Sequence, residues 1–302
     1  MGIANKKTLI LVFLSLIGLI IFFNSVFIFP AFYAEAINER SLTFLILLAS
    51  FFSASTIFFL YVYILSNTNK ESNLNKKFPR LESLNHPLLL RLSVEAPGSY
   101  HHSINVANLS HQAAKSIGAN AALVRIASYY HDAGKIIHPE VYIENQTKVR
   151  SKSQNLSEFR KISRIITRHT SIGKKIAEEN NLPEEIIQII SEHHGTTMAK
   201  FLYDESRLLG KIDIKEFRYP GPKPQTIESV IVMIADCVEA ATKGTRELNK
   251  KNISQIVDSV IEEKISEKQF SNVAISPNSL QRIRNSLIKT LSLMYHQRIS
   301  TE

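Results

Sequence analysis

The chain has 302 residues, with Lys+Arg 36 against Asp+Glu 27 and a formal net charge of +9. That length suits one sizeable globular domain with additional elements and leaves little room for a second full domain. The positive balance fits an anionic substrate, anionic lipid or nucleic acid without choosing among them, while a single cysteine, Cys237, excludes an internal disulfide and a thiolate-rich metal site and points to a reducing compartment.

In chain order, Thr8 to Phe29 is almost wholly apolar and uncharged, and at about 20 residues it is long enough to cross a bilayer. Leu42 to Leu65 repeats the pattern after a short polar segment, Pro30 to Ser41, so residues 1–66 are expected to form a two-span transmembrane hairpin. Lys6 and Lys7 precede the first span, and Lys70, Lys76, Lys77 and Arg80 follow the second. The positive-inside rule therefore puts both ends in the cytoplasm. A cleaved secretory leader ending near Ala34-Glu35-Ala36 is the alternative, but its apolar core would exceed the usual ~7–15 residues. Ser66 to Lys77 is rich in Ser, Asn and Lys and reads as a solvated connection, with residues 67–83 as a juxtamembrane linker and 84–302 as the working domain.

From Leu84 onward apolar residues recur at helical spacing and strand-like alternation is hard to find. Pro183 with Glu184 and Glu185 opens a helix carrying Ile186, Ile187, Ile189 and Ile190 up to His193. Ile253, Ile256, Val257, Val260, Ile261 and Ile265 mark another. Leu280, Ile283, Leu287, Leu291 and Met294 mark a last one, with Ser276 as N-cap and Pro277 at the first helical position. Two segments resist a helical reading: polar Gln146 to Gln154, and Arg218 to Gln225 with alternating prolines.

The ten histidines cluster rather than scatter. Tyr100-His101-His102-Ser103, His131-Asp132-Ala133-Gly134-Lys135, Arg168-His169-Thr170 and Glu192-His193-His194-Gly195 each offer ligand-type side chains on or beside a helix, and Asp236 adds a carboxylate. A helical bundle can gather such groups into one interior pocket. An isolated histidine is ordinarily satisfied by backbone or solvent, whereas an adjacent His-Asp followed by Gly-Lys has little reason to occur in an unspecialised core. Mixed imidazole and carboxylate ligation without thiolate suits iron or manganese and leaves zinc, cobalt and nickel open.

These motifs resemble the HD superfamily of metal-dependent phosphohydrolases, with His131-Asp132 as the eponymous pair. Glu95 to Ser103, Tyr129 to Lys135, Ile143 to Gln146, His193 to Thr197 and Phe217 to Pro224 are similar, more narrowly, to the seven-transmembrane HD phosphodiesterases that degrade cyclic di-AMP. The resemblance covers roughly Leu84 to Gln297. It implies an all-α HD-domain bundle; preceded by the transmembrane helical hairpin read from the hydropathy, the chain is expected to be anchored in the bacterial cytoplasmic membrane with the catalytic part in the cytoplasm.

The resemblance also implies two divalent metal ions, iron or manganese by preference: one held by His102, His131, Asp132 and Asp236, the other by Asp132, His169, His193 and His194, with Asp132 as the bridge. Either His101 or His102 could face the metal, and His102 is chosen because it directly precedes Ser103 as in the wider superfamily. Lys135, beyond a Gly134 that could let the chain leave the helix, is expected to aim its ammonium at a phosphate, against the alternative of a surface lysine. Arg218, Tyr219 and Lys223 are candidate contacts to phosphate and base, and Thr196 and Thr197 to substrate, against the alternatives of a stiff connector and a helix cap. The branch acting on cyclic di-GMP carries Gly-Tyr-Pro where Gly195-Thr196-Thr197 stands here, which favours the adenine dinucleotide.

The expected partners are a cyclic dinucleotide, membrane lipid and a second copy in a homodimer. A nucleic-acid polymer is not expected, because attraction to a membrane surface accounts for the juxtamembrane cations. Two departures from that branch stand out: two spans with a short loop in place of seven spans and an external sensing domain, and an altered Gln146 to Leu156 segment bearing Lys148, Arg150 and Lys152. Another nucleotide substrate, or a non-catalytic membrane-tethered binding module, are the competing readings.

Overall fold

The computed structural model describes residues 17, 18, 21, 39–146, 155–245 and 248–296. Proline or a polar cap stands at most helix starts. Helix α1 spans Glu39–Glu82, α2 Pro87–Glu95, α3 Pro97–Ile117 and α4 Ala121–Tyr130, followed by three short 3-10 turns at Ala133–Ile137, Pro139–Val141 and Ile143–Asn145. Helix α5 covers Leu156–Glu179, α6 Glu184–Glu192, α7 Lys200–Ser206, α8 Ile227–Lys243, α9 Lys250–Ser266 and α10 Pro277–His296. The described residues contain no strand, only an isolated bridge between Met198 and Arg218. The fold is all-α.

Contacts divide the chain into two compact units, 1–77 and 78–302. The first apolar stretch, Thr8 to Phe29, lies outside the described residues except for 17, 18 and 21. Among the described residues no helix is long and apolar enough to cross a membrane. Helix α1 continues through Ser66 to Lys77, where composition predicts a solvated connection. Once earlier turns have nucleated a helix, each further residue adds a hydrogen bond, so a polar run can propagate it.

In the second unit α8 is the central element. Its residues Val230 to Ala235 are all buried, and it packs on α3, α4, α6 and α9, while α3 also meets α10. Helix α5 is two-faced: Phe159, Ile162 and Ile176 are buried, and Lys161, Arg164 and Arg168 are exposed. Helix α6 begins after Pro183 with Glu184 and Glu185 in its first turn, and the Ser276 hydroxyl accepts from the Ser279 N–H at 3.0 Å before α10. Both starts agree with the sequence spacing. Gln146 is extended, residues 147–154 lie outside the described residues, and Arg218 to Gln225 forms no helix.

Thr226 caps α8, its hydroxyl accepting from the Ser229 N–H at 3.2 Å. Thr226→Ala is expected to cost about 1 kcal/mol, read as a thermal midpoint lowered by roughly 2–4 °C. An unchanged midpoint would show that α8 is held by packing alone.

Candidate metal centre

Each candidate ligand sits where a helix, or the turn ending one, can deliver it to the interior. His102 lies within α3 and is buried, whereas His101, one residue and about 100° round the helix, is exposed. His131 and Asp132 follow the last residue of α4, whose end is pinned by the Tyr130 hydroxyl donating to the Leu81 carbonyl at 2.8 Å. His169 projects from the buried face of α5, His193 and His194 follow the end of α6, and Asp236 comes from α8. His102, His131, Asp132, His169, His193 and Asp236 are all buried, and His194 is partly so.

Ligand atoms converge in three overlapping groups: His102, His131 and Asp236; His169, His193 and His194; and His131, Asp132 and His193, each with its atoms within 4.8 Å of one another. The two oxygens of Asp132 face different groups. Oδ1 lies 3.3 Å from His169 Nε2 and 3.9 Å from His193 Nε2; Oδ2 lies 3.4 Å from His131 Nε2 and 3.7 Å from His102 Nε2. Asp236 Oδ1 is 2.8 Å from His102 Nε2, and its Oδ2 is 3.6 Å from His194 Nδ1.

The protonation pattern tests whether a cation fits. Nδ1 of His131, His169 and His193 meets the carbonyls of Ser128, Ile166 and Ile190 at 2.7, 2.7 and 2.8 Å. A carbonyl only accepts, so each Nδ1 carries the hydrogen and each Nε2 of a neutral ring turns its lone pair inward. His102 Nδ1 likewise donates to Glu239. Inward-facing lone pairs therefore meet carboxylate oxygens and one another: the His169 and His193 Nε2 atoms stand 3.2 Å apart. His131 Nε2 and Asp132 Oδ1 are buried without a hydrogen-bond partner among the described residues.

Such orphaned groups cost roughly 1–3 kcal/mol each unless a cation meets them. Donors bound to one cation at about 2.0–2.2 Å stand about 3–4 Å apart, the range found here. The clustered His and Asp side chains fit a divalent metal site.

Electrostatics prepare the same chemistry. Burial disfavours the Asp132 carboxylate, but His131, Lys135 and His169 outweigh it and hold its pKa well below the usual value. Asp236 is depressed likewise, against burial, chiefly by His102 and His131. Burial, then His131 and His169, lowers His193 to about 3, and burial and His193 lower His194. Ionised carboxylates and neutral imidazoles are the forms that bind metal. His102 differs: burial opposes its charge, yet Asp236 and Glu239 raise its pKa to about 9, so its Nε2 face calls for a cation, whether proton or metal.

Lys135 Nζ lies 2.8 Å from Asp132 Oδ2 and 2.7 Å from Glu144 Oε1. Gly134 does more than let the chain leave a helix, since α4 has already ended at Tyr130. A Cβ on Gly134 would stand 2.0 Å from the His169 carbonyl oxygen, so its lack of a side chain lets the turn after Asp132 lie against α5. Tyr219 stacks on His194 with ring centroids 4.2 Å apart. Arg218 donates to the Thr196 carbonyl at 2.9 Å, the Thr197 hydroxyl to the His194 carbonyl at 2.7 Å, and Lys223 to the Lys268 carbonyl at 2.9 Å. Tyr219 is thus at the cluster, while Arg218, Thr197 and Lys223 are tied to the backbone around it.

Sequence reasoning gave two carboxylates no role, one of them, Glu144, within the quoted motif Ile143 to Gln146. Glu144 joins Lys135 and accepts from the Ser99 hydroxyl at 3.0 Å. Glu239 receives His102 Nδ1. An acid three residues after Asp236, within an otherwise apolar helix, was the available signal for Glu239.

The HD domain family matches residues 99–241. The cyclic-di-AMP phosphodiesterase PgpH of Listeria monocytogenes is 42% identical over 221 residues, covering 72% of this chain and 30% of that protein. The chain thus spans under a third of this relative's length. The crystal structure of the L. monocytogenes PgpH HD domain superposes with a TM-score of 0.66 at 40% identity, covering 70% of this chain and 100% of that one. The structure of that domain in complex with cyclic-di-AMP gives 0.66 at 39% identity, covering 71% and 100%. With the matched segment containing every candidate ligand, and with a solved HD domain covered in full, the chain belongs to the HD domain family.

Proposed function

We propose that the protein is a membrane-anchored phosphodiesterase that uses two divalent cations, iron or manganese, to hydrolyse cyclic di-AMP to a linear dinucleotide. The observation that carries this reading is the two-sided Asp132, whose oxygens face separate groups of imidazoles. His102, His131, Asp132 and Asp236 would hold one cation and Asp132, His169, His193 and His194 the other. Bound there, two cations supply an acidified water and neutralise charge growing on the phosphate oxygens. Lys135, held beside Asp132, offers an ammonium to the same phosphate, and Tyr219 offers an aromatic face next to His194. Arg218, Lys223, Thr196 and Thr197 complete the proposed substrate side. The adenine dinucleotide is supported by the activity named for the Listeria relative and by the ligand in its HD-domain complex.

Anchoring is supported by α1, where Phe44, Leu47, Phe51, Phe52, Phe58 and Phe59 are exposed large apolar side chains. Residues 1–66 would form the membrane hairpin and 67–83 the connection, with 84–302 on the cytoplasmic side.

The test is hydrolysis by the full chain in detergent, loaded with manganese and offered cyclic di-AMP, cyclic di-GMP and a nucleoside triphosphate. Linear adenine dinucleotide is expected to predominate and to vanish on chelation. Metal-loaded protein that yields none would overturn the reading. Faster turnover of another nucleotide would replace the substrate.

A further inference from the structure

Of the four candidate metal-ligating histidines whose Nδ1 hydrogen is fixed by a partner, three use the carbonyl of their own preceding helical turn. His102 is the exception. Its Nδ1 is directed across to α8 and meets Glu239 Oε2. Glu239 is itself buried, and its second oxygen is held by Asn105 Nδ2 at 2.9 Å and Lys243 Nζ at 2.9 Å. All three neighbours donate, so the carboxylate is kept ionised and aimed.

The arrangement is an interlock of two helices. Helix α3 offers His102 and Asn105 three residues apart on one face, and α8 offers Asp236 and Glu239 at the same spacing. Asp236 meets the Nε2 edge of the His102 ring at 2.8 Å, and Glu239 meets the Nδ1 edge. Glu239 accepting at Nδ1 keeps the ring in one tautomer and one orientation, and a carboxylate on that far nitrogen strengthens Nε2 as an electron-pair donor.

We infer that Glu239 is a positioning residue for the cation held by His102, His131 and Asp236, and that the cation held by His169, His193 and His194 does not depend on it. This rests on the two-cation reading above. The inference is an asymmetry between two sites that share Asp132: one takes its imidazole orientation from local backbone, the other from a separate helix through a side chain.

The experiment is a manganese titration of the metal-stripped full chain in detergent, reading bound metal per chain, for the wild type, Glu239→Ala and Glu239→Gln. Wild type is expected to bind two ions. Glu239→Ala should weaken one of them roughly 10–100-fold and leave the other within about twofold, the scale of lost outer-shell partners. Glu239→Gln, whose amide oxygen can still accept from Nδ1, should recover much of that loss. Two ions bound by Glu239→Ala as tightly as by wild type would overturn the inference, and so would equal weakening of both, which marks a merely structural role. Wild type binding fewer than two ions would instead overturn the two-cation reading.

Should Glu239→Ala fail to fold, Asn105→Ala with Lys243→Ala leaves Glu239 in place but frees its other oxygen. A smaller loss confined to one ion is expected there. No loss would count against the inference.

Discussion

Asp132→Asn is expected to remove both of the cations proposed above and to lower the proposed phosphodiester hydrolysis by at least about 10³-fold, the scale lost when a charge-stabilising group leaves a reaction centre. The substitution keeps the side chain's size and removes its charge. Each Asp132 oxygen faces a different set of imidazole nitrogens, so one neutral amide weakens both sets at once. It also presents an N–H₂ to whichever group it turns toward, which repels a cation there. Lys135 keeps Glu144 as its partner, so the fold should survive better than the metal binding does. Metal analysis alongside product formation checks this. Two ions retained with wild-type turnover would refute the bridging role.

Gly134→Ala is expected to have the largest effect on the fold. Its Cβ would stand 2.0 Å from the His169 carbonyl oxygen and 2.7 Å from the Gly173 backbone nitrogen, neither of which can swing aside as a side-chain end could. The turn after Asp132 must then move off α5, at a cost near the top of the overpacking range, about 3 kcal/mol or more. For a domain of this size that is a thermal midpoint lowered by roughly 6–12 °C. Movement at this point also separates Asp132 from His169, so metal affinity should fall with stability. Gly244→Ala is the control: its Cβ would find only the Ala241 carbonyl oxygen at 3.6 Å, and its φ of −77° suits alanine. A change within about 1 kcal/mol is expected there. Equal effects at the two positions would show that close approach at Gly134 is not what requires glycine.

The legible part of this protein was whatever local chemistry dictates. Apolar spacing placed α6, α9 and α10, Pro183 and Ser276-Pro277 marked two of their starts, and the alternating prolines after Arg218 kept that stretch out of a helix. The ligand types were visible for the same reason: histidines beside acids at helix ends are rare without a use, and the resemblance to HD phosphohydrolases divided them into two sets.

Relations between distant segments were not legible. Periodicity could not tell that Lys135 is held between Asp132 and Glu144, that Lys223 reaches the Lys268 carbonyl, or that α1 continues through its polar stretch. Gly134 was visible as a glycine, but the need for it comes from α5 lying against it.

His131 and Asp132 show the division most clearly. The sequence by itself determined the chemistry the protein would bring to one place, because ligand identity is a property of single side chains and short spacings. Only the tertiary structure decided how that chemistry is aimed: which oxygen of Asp132 faces which imidazoles, that His102 and not His101 turns inward, and that Glu239 grips it from another helix. Orientation depends on contacts between helices far apart in the chain, and no local pattern encodes them.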